Sequence, residues 1–147
     1  MNPELTACNY ALLRYLPYPE TGEFVNVGVA VCCLQPGFLE FCMDGPRVFP
    51  RVKAFFPELN EENFEAAHAA IAVEFERVTK QIKQARDPKT AQRAFHELVR
   101  ARESIFRFGE VRTILSPDPD NLATELFDRY VRRVSSQRKK PQVTAAD

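Results

Sequence analysis

The chain has 147 residues, of which 45% are hydrophobic and 27% charged, a size and balance that fit one folded domain and exclude disorder of the whole chain. Twenty basic side chains offset twenty acidic ones, so no net field draws the protein to nucleic acid or to a membrane surface. The longest apolar run, Val27 to Leu34, is eight residues, against roughly 20 for a bilayer span.

The opening Met1-Asn2-Pro3-Glu4 lacks the basic and apolar regions of a secretory leader, so the sequence predicts a cytoplasmic protein. Cys8, Cys32, Cys33 and Cys42 show no C-x-x-C spacing. In that compartment they read as reduced, mostly buried thiols rather than a disulfide or a metal site.

Tyr10 to Leu16 alternates as a strand, with Tyr10, Leu12, Arg14 and Leu16 on one side. Pro17, Pro19 and Gly22 mark a connector. Glu23 to Leu34 follows as a long strand, apolar on both faces and so covered on both sides. Strict alternation puts Val25, Val27, Val29, Val31 and Cys33 on one face and Phe24, Asn26, Gly28, Ala30 and Cys32 on the other. Gln35-Pro36-Gly37 is a turn, and Phe38 to Met43 completes a three-stranded antiparallel meander.

Arg47 to Pro57 is ambiguous, because Pro50 and Pro57 interrupt an apolar stretch. Asn60 caps a long helix whose Phe64, Ala67, Ile71, Phe75, Val78 and Ile82 recur at spacings of three and four. Asp87-Pro88 restarts the pattern as a helix from Pro88 to Arg102. Ser104–Phe108 and Val111–Leu115 read as two short strands around Gly109. Asp118-Pro119 opens a final helix with Leu122, Leu126, Phe127, Tyr130 and Val134 inward. The expected fold is α+β, a mostly antiparallel sheet packed with three helices, as one domain over 1–134 with a basic, mobile tail over 135–147.

Three constellations stand out. Arg14 and Asn26 are polar residues set in apolar strands, with Glu23 the nearest carboxylate to Arg14. A structural network stapling the connector explains them, since a buried guanidinium needs a paired charge. A pocket for an anionic group explains them too, and Gly28 favours it, because a strand glycine leaves space. Arg107 and Arg112 read either as solvated strand residues or as part of one cationic pocket with Arg14.

His68 lies on the apolar stripe of the long helix and reads as a satisfied core residue rather than a general base. His96 sits at a boundary. Neither has zinc-ligand spacing, and no nucleophile elbow or phosphate loop is present. No metal or cofactor is expected. Lastly, Arg129, Arg132, Arg133, Arg138, Lys139 and Lys140 give six positive charges without an acid, whereas residues 1–63 hold eight acids against four bases, a net of −4. That layout suits nucleic acid at one end, or a solvated helix terminus with cations opposing the macrodipole.

Tyr10-Ala-Leu-Leu-Arg-Tyr-Leu-Pro17 followed by Gly22-Glu-Phe-Val-Asn-Val-Gly-Val29 resembles the opening signature of a bacterial family of small proteins classed as a domain of unknown function, Y-x-L-L-R-Y-x-P then G-E-F-V-N-[VI]-G-V. Ser104-Ile-Phe-Arg-Phe to Arg112-Thr-Ile-Leu-Ser and the helix through Tyr130 resemble its closing segment. This chain carries Tyr18-Pro19 where other members often have a charged residue, which stiffens the loop. The resemblance implies no settled activity or cofactor. It implies that Arg14, Glu23, Asn26, Gly28 and Arg107 are the family's polar positions. Genes of the family often lie beside those for HipA-like kinases, which implies a protein partner in a toxin–antitoxin-like system. The reading is a non-catalytic interaction module docking on a partner such as a HipA-like kinase, able to self-associate. A small enzyme or binder of an anionic ligand at Arg14, Asn26 and Arg107 is the first rival, and nucleic-acid binding through residues 129–140 the second.

Overall fold

The computed structural model describes residues 4–33, 38–85, 88–100 and 105–133. Chain order is β1 (Thr6–Tyr15), β2 (Val25–Cys33), β3 (Phe38–Met43), α1 (Gly45–Phe55), α2 (Glu61–Ala85), α3 (Pro88–Val99), β4 (Phe106–Phe108), β5 (Arg112–Ser116) and α4 (Leu122–Phe127), which widens into a π-helical turn over Asp128–Arg132. The class is α+β, and the five strands form one antiparallel sheet. The expected turn at Gln35-Pro36-Gly37, the end of the second expected helix beyond residue 100, Val134 and the basic tail lie outside the described residues.

Strand order is β3-β2-β1, and the far side of β1 is shared. β4 pairs with its C-terminal end through Leu13, Arg14 and Tyr15, and β5 with its N-terminal half, Thr6 to Tyr10. Gly109 sits at the break between the two and still donates its N–H to the Leu12 carbonyl at 2.8 Å.

Helices cover both faces, as the doubly apolar β2 requires. On one, Tyr15 meets Phe64 of α2 edge-on at 5.0 Å, and Phe41 of β3 stacks on Phe75 of α2 at 4.2 Å. On the other, Tyr10 lies parallel to Tyr130 of the terminal helix, with centroids 6.4 Å apart. Asn60 caps α2 as its sequence demands, its side chain accepting from the Asn63 N–H at 3.0 Å.

There are four helices rather than three. The ambiguous segment is helical because Asp44 accepts from the Arg47 N–H and Pro46 falls in the first turn, where a missing donor costs nothing. Pro50 is tolerated inside this helix, and its far end is tied to the terminal helix by Arg51, which donates to the Val131 carbonyl. Asp118 makes no side-chain cap to a backbone amide; its carboxylate instead accepts from the Asn121 side chain at 2.7 Å, at the start of a 3-10 turn over Pro119–Asn121. In the terminal helix Val131 is fully buried, Tyr130 only half so.

The thiol reading needs correcting. Cys8 and Cys33 stand directly opposite each other on β1 and β2 and form a disulfide, while Cys32 and Cys42 are free. Register, not sequence spacing, brought the first pair together. Burial pushes the Cys32 thiol up to about 11. Cys42 is likewise raised to about 11, chiefly by burial and then by Asp128.

Candidate functional site

Where Arg14 and Asn26 stand is decided by a β-bulge. Leu13 lies opposite Gly28, yet Arg14 lies opposite Asn26, so Val27 is an extra residue on β2. Alternation therefore resets at Val27. Asn26 leaves the face of Gly28 and Ala30 and joins that of Arg14, while Val25 moves opposite Tyr15. The strict alternation expected for β2 fails here, and its failure is what puts the guanidinium and the carboxamide on one face.

Across β1 from Asn26, Arg107 of β4 is the other direct neighbour of Arg14. The guanidinium of Arg14 stacks on the ring of Phe24, 4.2 Å from its centroid. Its other side runs along Gly109, where a Cβ would stand 2.7 Å from Arg14 Cζ. Glu23, the carboxylate expected beside Arg14, is exposed, and its N–H donates to the Thr21 hydroxyl. Arg14 Nε and Asn26 Oδ1 are both buried without a hydrogen-bond partner among the described residues.

Arg14 forms part of the wall of a cavity of about 300 Å³ together with Tyr10, Leu12, Gly109, Arg112 and Tyr130. Glu110 also lines it and pairs with Arg112 at 3.3 Å in an exposed contact. Arg129 stands over the Tyr130 ring at 5.8 Å. Burial, then Tyr130, raises the Tyr10 phenol above its ordinary value, so the hydroxyl stays protonated at neutral pH. The cavity thus offers guanidinium and phenol donors, aromatic walls and one carboxylate held by an arginine.

The remaining expected site residues go elsewhere. Gly28 packs tightly against β3, since a Cβ there would sit 3.1 Å from the Cys42 carbonyl oxygen and from Met43 Cγ. Arg107 and Asn26 flank Arg14 in the sheet without lining the cavity. Of the six terminal cations, Arg132 is paired with Asp128 at 3.0 Å, Arg129 is exposed beside Tyr130, and Arg133 is exposed, whereas Arg138, Lys139 and Lys140 lie outside the described residues. His68 is buried among Phe64 and Phe106, but its Nε2 has no partner among the described residues, so there it is a core residue without the expected hydrogen bond. His96 is exposed.

Tyr10 and Tyr130 were missed as site residues. Tyr10 and Tyr130 read as core positions in two elements 120 residues apart in the chain, and only their stacking across the sheet face reveals them.

Among the described residues, no group of three or more His, Cys, Asp or Glu is placed to hold a metal ion, and no helix is long and apolar enough to cross a membrane. No curated protein and no solved structure matches the chain. A family model matches residues 10–131, from Tyr10 of the cavity to Val131 of the terminal helix. The chain belongs to the family described as "Protein of unknown function (DUF3037)".

Proposed function

We propose that the protein binds a small anionic ligand in the cavity between β1, the β4–β5 break and the terminal helix. One observation carries this reading: Arg14 lines a concave space while its Nε is buried and lacks a partner among the described residues. Leaving a buried donor unsatisfied costs about 1–3 kcal/mol. A guanidinium serving only to staple the sheet would find an acceptor inside it. Phe24 and Gly109 hold the group in place, which lowers the ordering cost of binding. At about 300 Å³ the space is at the small end of ligand sites. Tyr10 and Tyr130 favour a ligand with a flat portion beside its carboxylate or phosphate. The groups the described residues bring to the cavity are donors, aromatic rings and one arginine-paired carboxylate, which support a binding role.

Phenyl phosphate, an aromatic ring carrying a phosphate, is the probe that tests it. Titration at low ionic strength should show saturable binding, weakened by inorganic phosphate as competitor and at least tenfold weaker in Arg14→Gln. Arg112→Gln, at an exposed position, serves as the variant least able to disturb the fold. Equal binding by wild type and both variants would sink the reading. Docking on a protein partner such as a HipA-like kinase rests on the family resemblance, and ligand binding at this cavity is compatible with it.

A further inference from the structure

The cavity that Arg14 lines runs along β1, and its chemistry changes from one end to the other. Tyr10, Leu12 and Arg14 follow one another on one face of the strand, so the two ends are four strand residues, about 13 Å, apart. Tyr10 lies opposite Arg112 of β5, and its ring is parallel to that of Tyr130. Arg14 marks the other end, between Phe24 and Gly109. Glu110 comes between Gly109, whose N–H reaches the Leu12 carbonyl, and Arg112, so it stands along the middle.

A simple aromatic anion leaves part of this wall unused. A carboxylate among guanidinium groups repels an anion, so Glu110 weakens the site unless the ligand brings hydrogen-bond donors to it. A ring that carries its phosphate directly also covers only part of the span from the tyrosines to Arg14. The arrangement calls for a ligand with three parts in order: a flat ring, a donor-bearing middle and an anionic end.

We propose that the cavity takes a ribonucleoside 5′-monophosphate, a reading that rests on its assignment above as an anion site. The base stacks on the tyrosines, since an aromatic face accepts any base. The ribose lies at Leu12 with its 2′- and 3′-hydroxyls donating to Glu110, as carboxylates do when they hold a ribose. The phosphate accepts from Arg14 at the far end. It supplies the acceptor that the buried Nε of Arg14 lacks among the described residues. Arg112, paired with Glu110 at 3.3 Å, holds the carboxylate in place. Because both hydroxyls are used, the ligand is a free nucleotide and not a residue inside an RNA strand, whose 3′-oxygen is esterified.

The test is calorimetric titration of the full chain with the 5′-monophosphates of adenosine, guanosine, cytidine and uridine, under the conditions used for phenyl phosphate. At least one should bind tenfold more tightly than phenyl phosphate. Its 2′-deoxy analogue and its unphosphorylated nucleoside should each bind at least tenfold more weakly than the nucleotide, because a site built around a hydroxyl rejects the analogue lacking it. Glu110→Ala, at an exposed position, should weaken the ribonucleotide at least tenfold and leave phenyl phosphate no weaker. Ribonucleotides no tighter than phenyl phosphate would overturn the proposal, and so would a 2′-deoxy analogue that binds as well as its parent. In either case phenyl phosphate binding that is lost in Arg14→Gln keeps the anion site standing. Failure of phenyl phosphate and of all four nucleotides would remove both.

Discussion

The guanidinium of Arg14 occupies the space that a side chain at residue 109 would need: a Cβ built on Gly109 falls 2.7 Å from Arg14 Cζ and 2.8 Å from Nη2. The glycine backbone is in a conformation any residue adopts, since Gly22 is the only glycine with a positive φ among the described residues. Gly109→Ala therefore acts through the contact alone. The flexible end of Arg14 can swing aside, so stability should fall by under about 1 kcal/mol. Phenyl phosphate binding should weaken at least tenfold, because the arginine leaves its place against Phe24. Calorimetric titration beside a urea melt separates the two effects, and equal binding in the variant would contradict the assigned cavity.

His68 makes the fold sensitive to acid. Burial lowers its pKa below the ordinary 6.5, outweighing Asp44, which raises it. Above pH 6.5 the imidazole is neutral in both folded and unfolded chains and contributes no pH dependence. As pH falls below that value, the unfolded chain takes the proton first, so stability declines until the lower folded pKa is passed. Urea midpoints at pH 7.5 and 5.0 should differ by less in His68→Phe than in wild type. The replacement also removes Nε2, which has no partner among the described residues, and puts a benzene ring in place of the imidazole between Phe64 and Phe106.

Phe64 anchors the face of the sheet under α2. It is 1% exposed and meets Tyr15, Phe49 and Phe106 at ring distances of 5.0, 5.4 and 6.2 Å. Phe64→Ala should cost about 3–5 kcal/mol, read as a shift in denaturation midpoint.

Gly28→Val should be destabilising by about 1–3 kcal/mol, because the added atoms meet the backbone oxygen of Cys42 at 3.1 Å and a main-chain atom cannot step aside. Ligand binding at the Arg14 cavity should be unaffected in whatever fraction folds. A variant as stable as wild type would show that β3 does not approach β2 this closely.

Reduction of the Cys8–Cys33 bond should lower stability by roughly 3–4 kcal/mol on the loop-entropy account, given a separation of 25 residues. Urea melts with and without dithiothreitol measure it, and Cys8→Ala should be insensitive to the reductant.

Period and punctuation made most of the fold legible. The 3-and-4 spacing from Phe64 to Ile82, the Asn60 cap, the two-sided apolar run of β2 and the Gly109 break all act locally, so they can be read along the chain. Arg47 to Pro57 was not legible, because two prolines in an apolar stretch leave helix and loop equally plausible. Only the Asp44 cap and burial of Val48 and Val52 settle it as helix.

By composition and pattern alone the chain specifies an α+β domain and singles out Arg14 and Asn26 as polar groups in apolar strands. Tertiary structure decided what those groups do. The bulge at Val27 turns Asn26 onto the face of Arg14, the β4–β5 break presents Gly109 to the guanidinium, and the terminal helix carries Tyr130 to Tyr10. Each is a relation between segments far apart in the chain. Local propensity describes how a segment folds and holds no record of which distant segment packs against it.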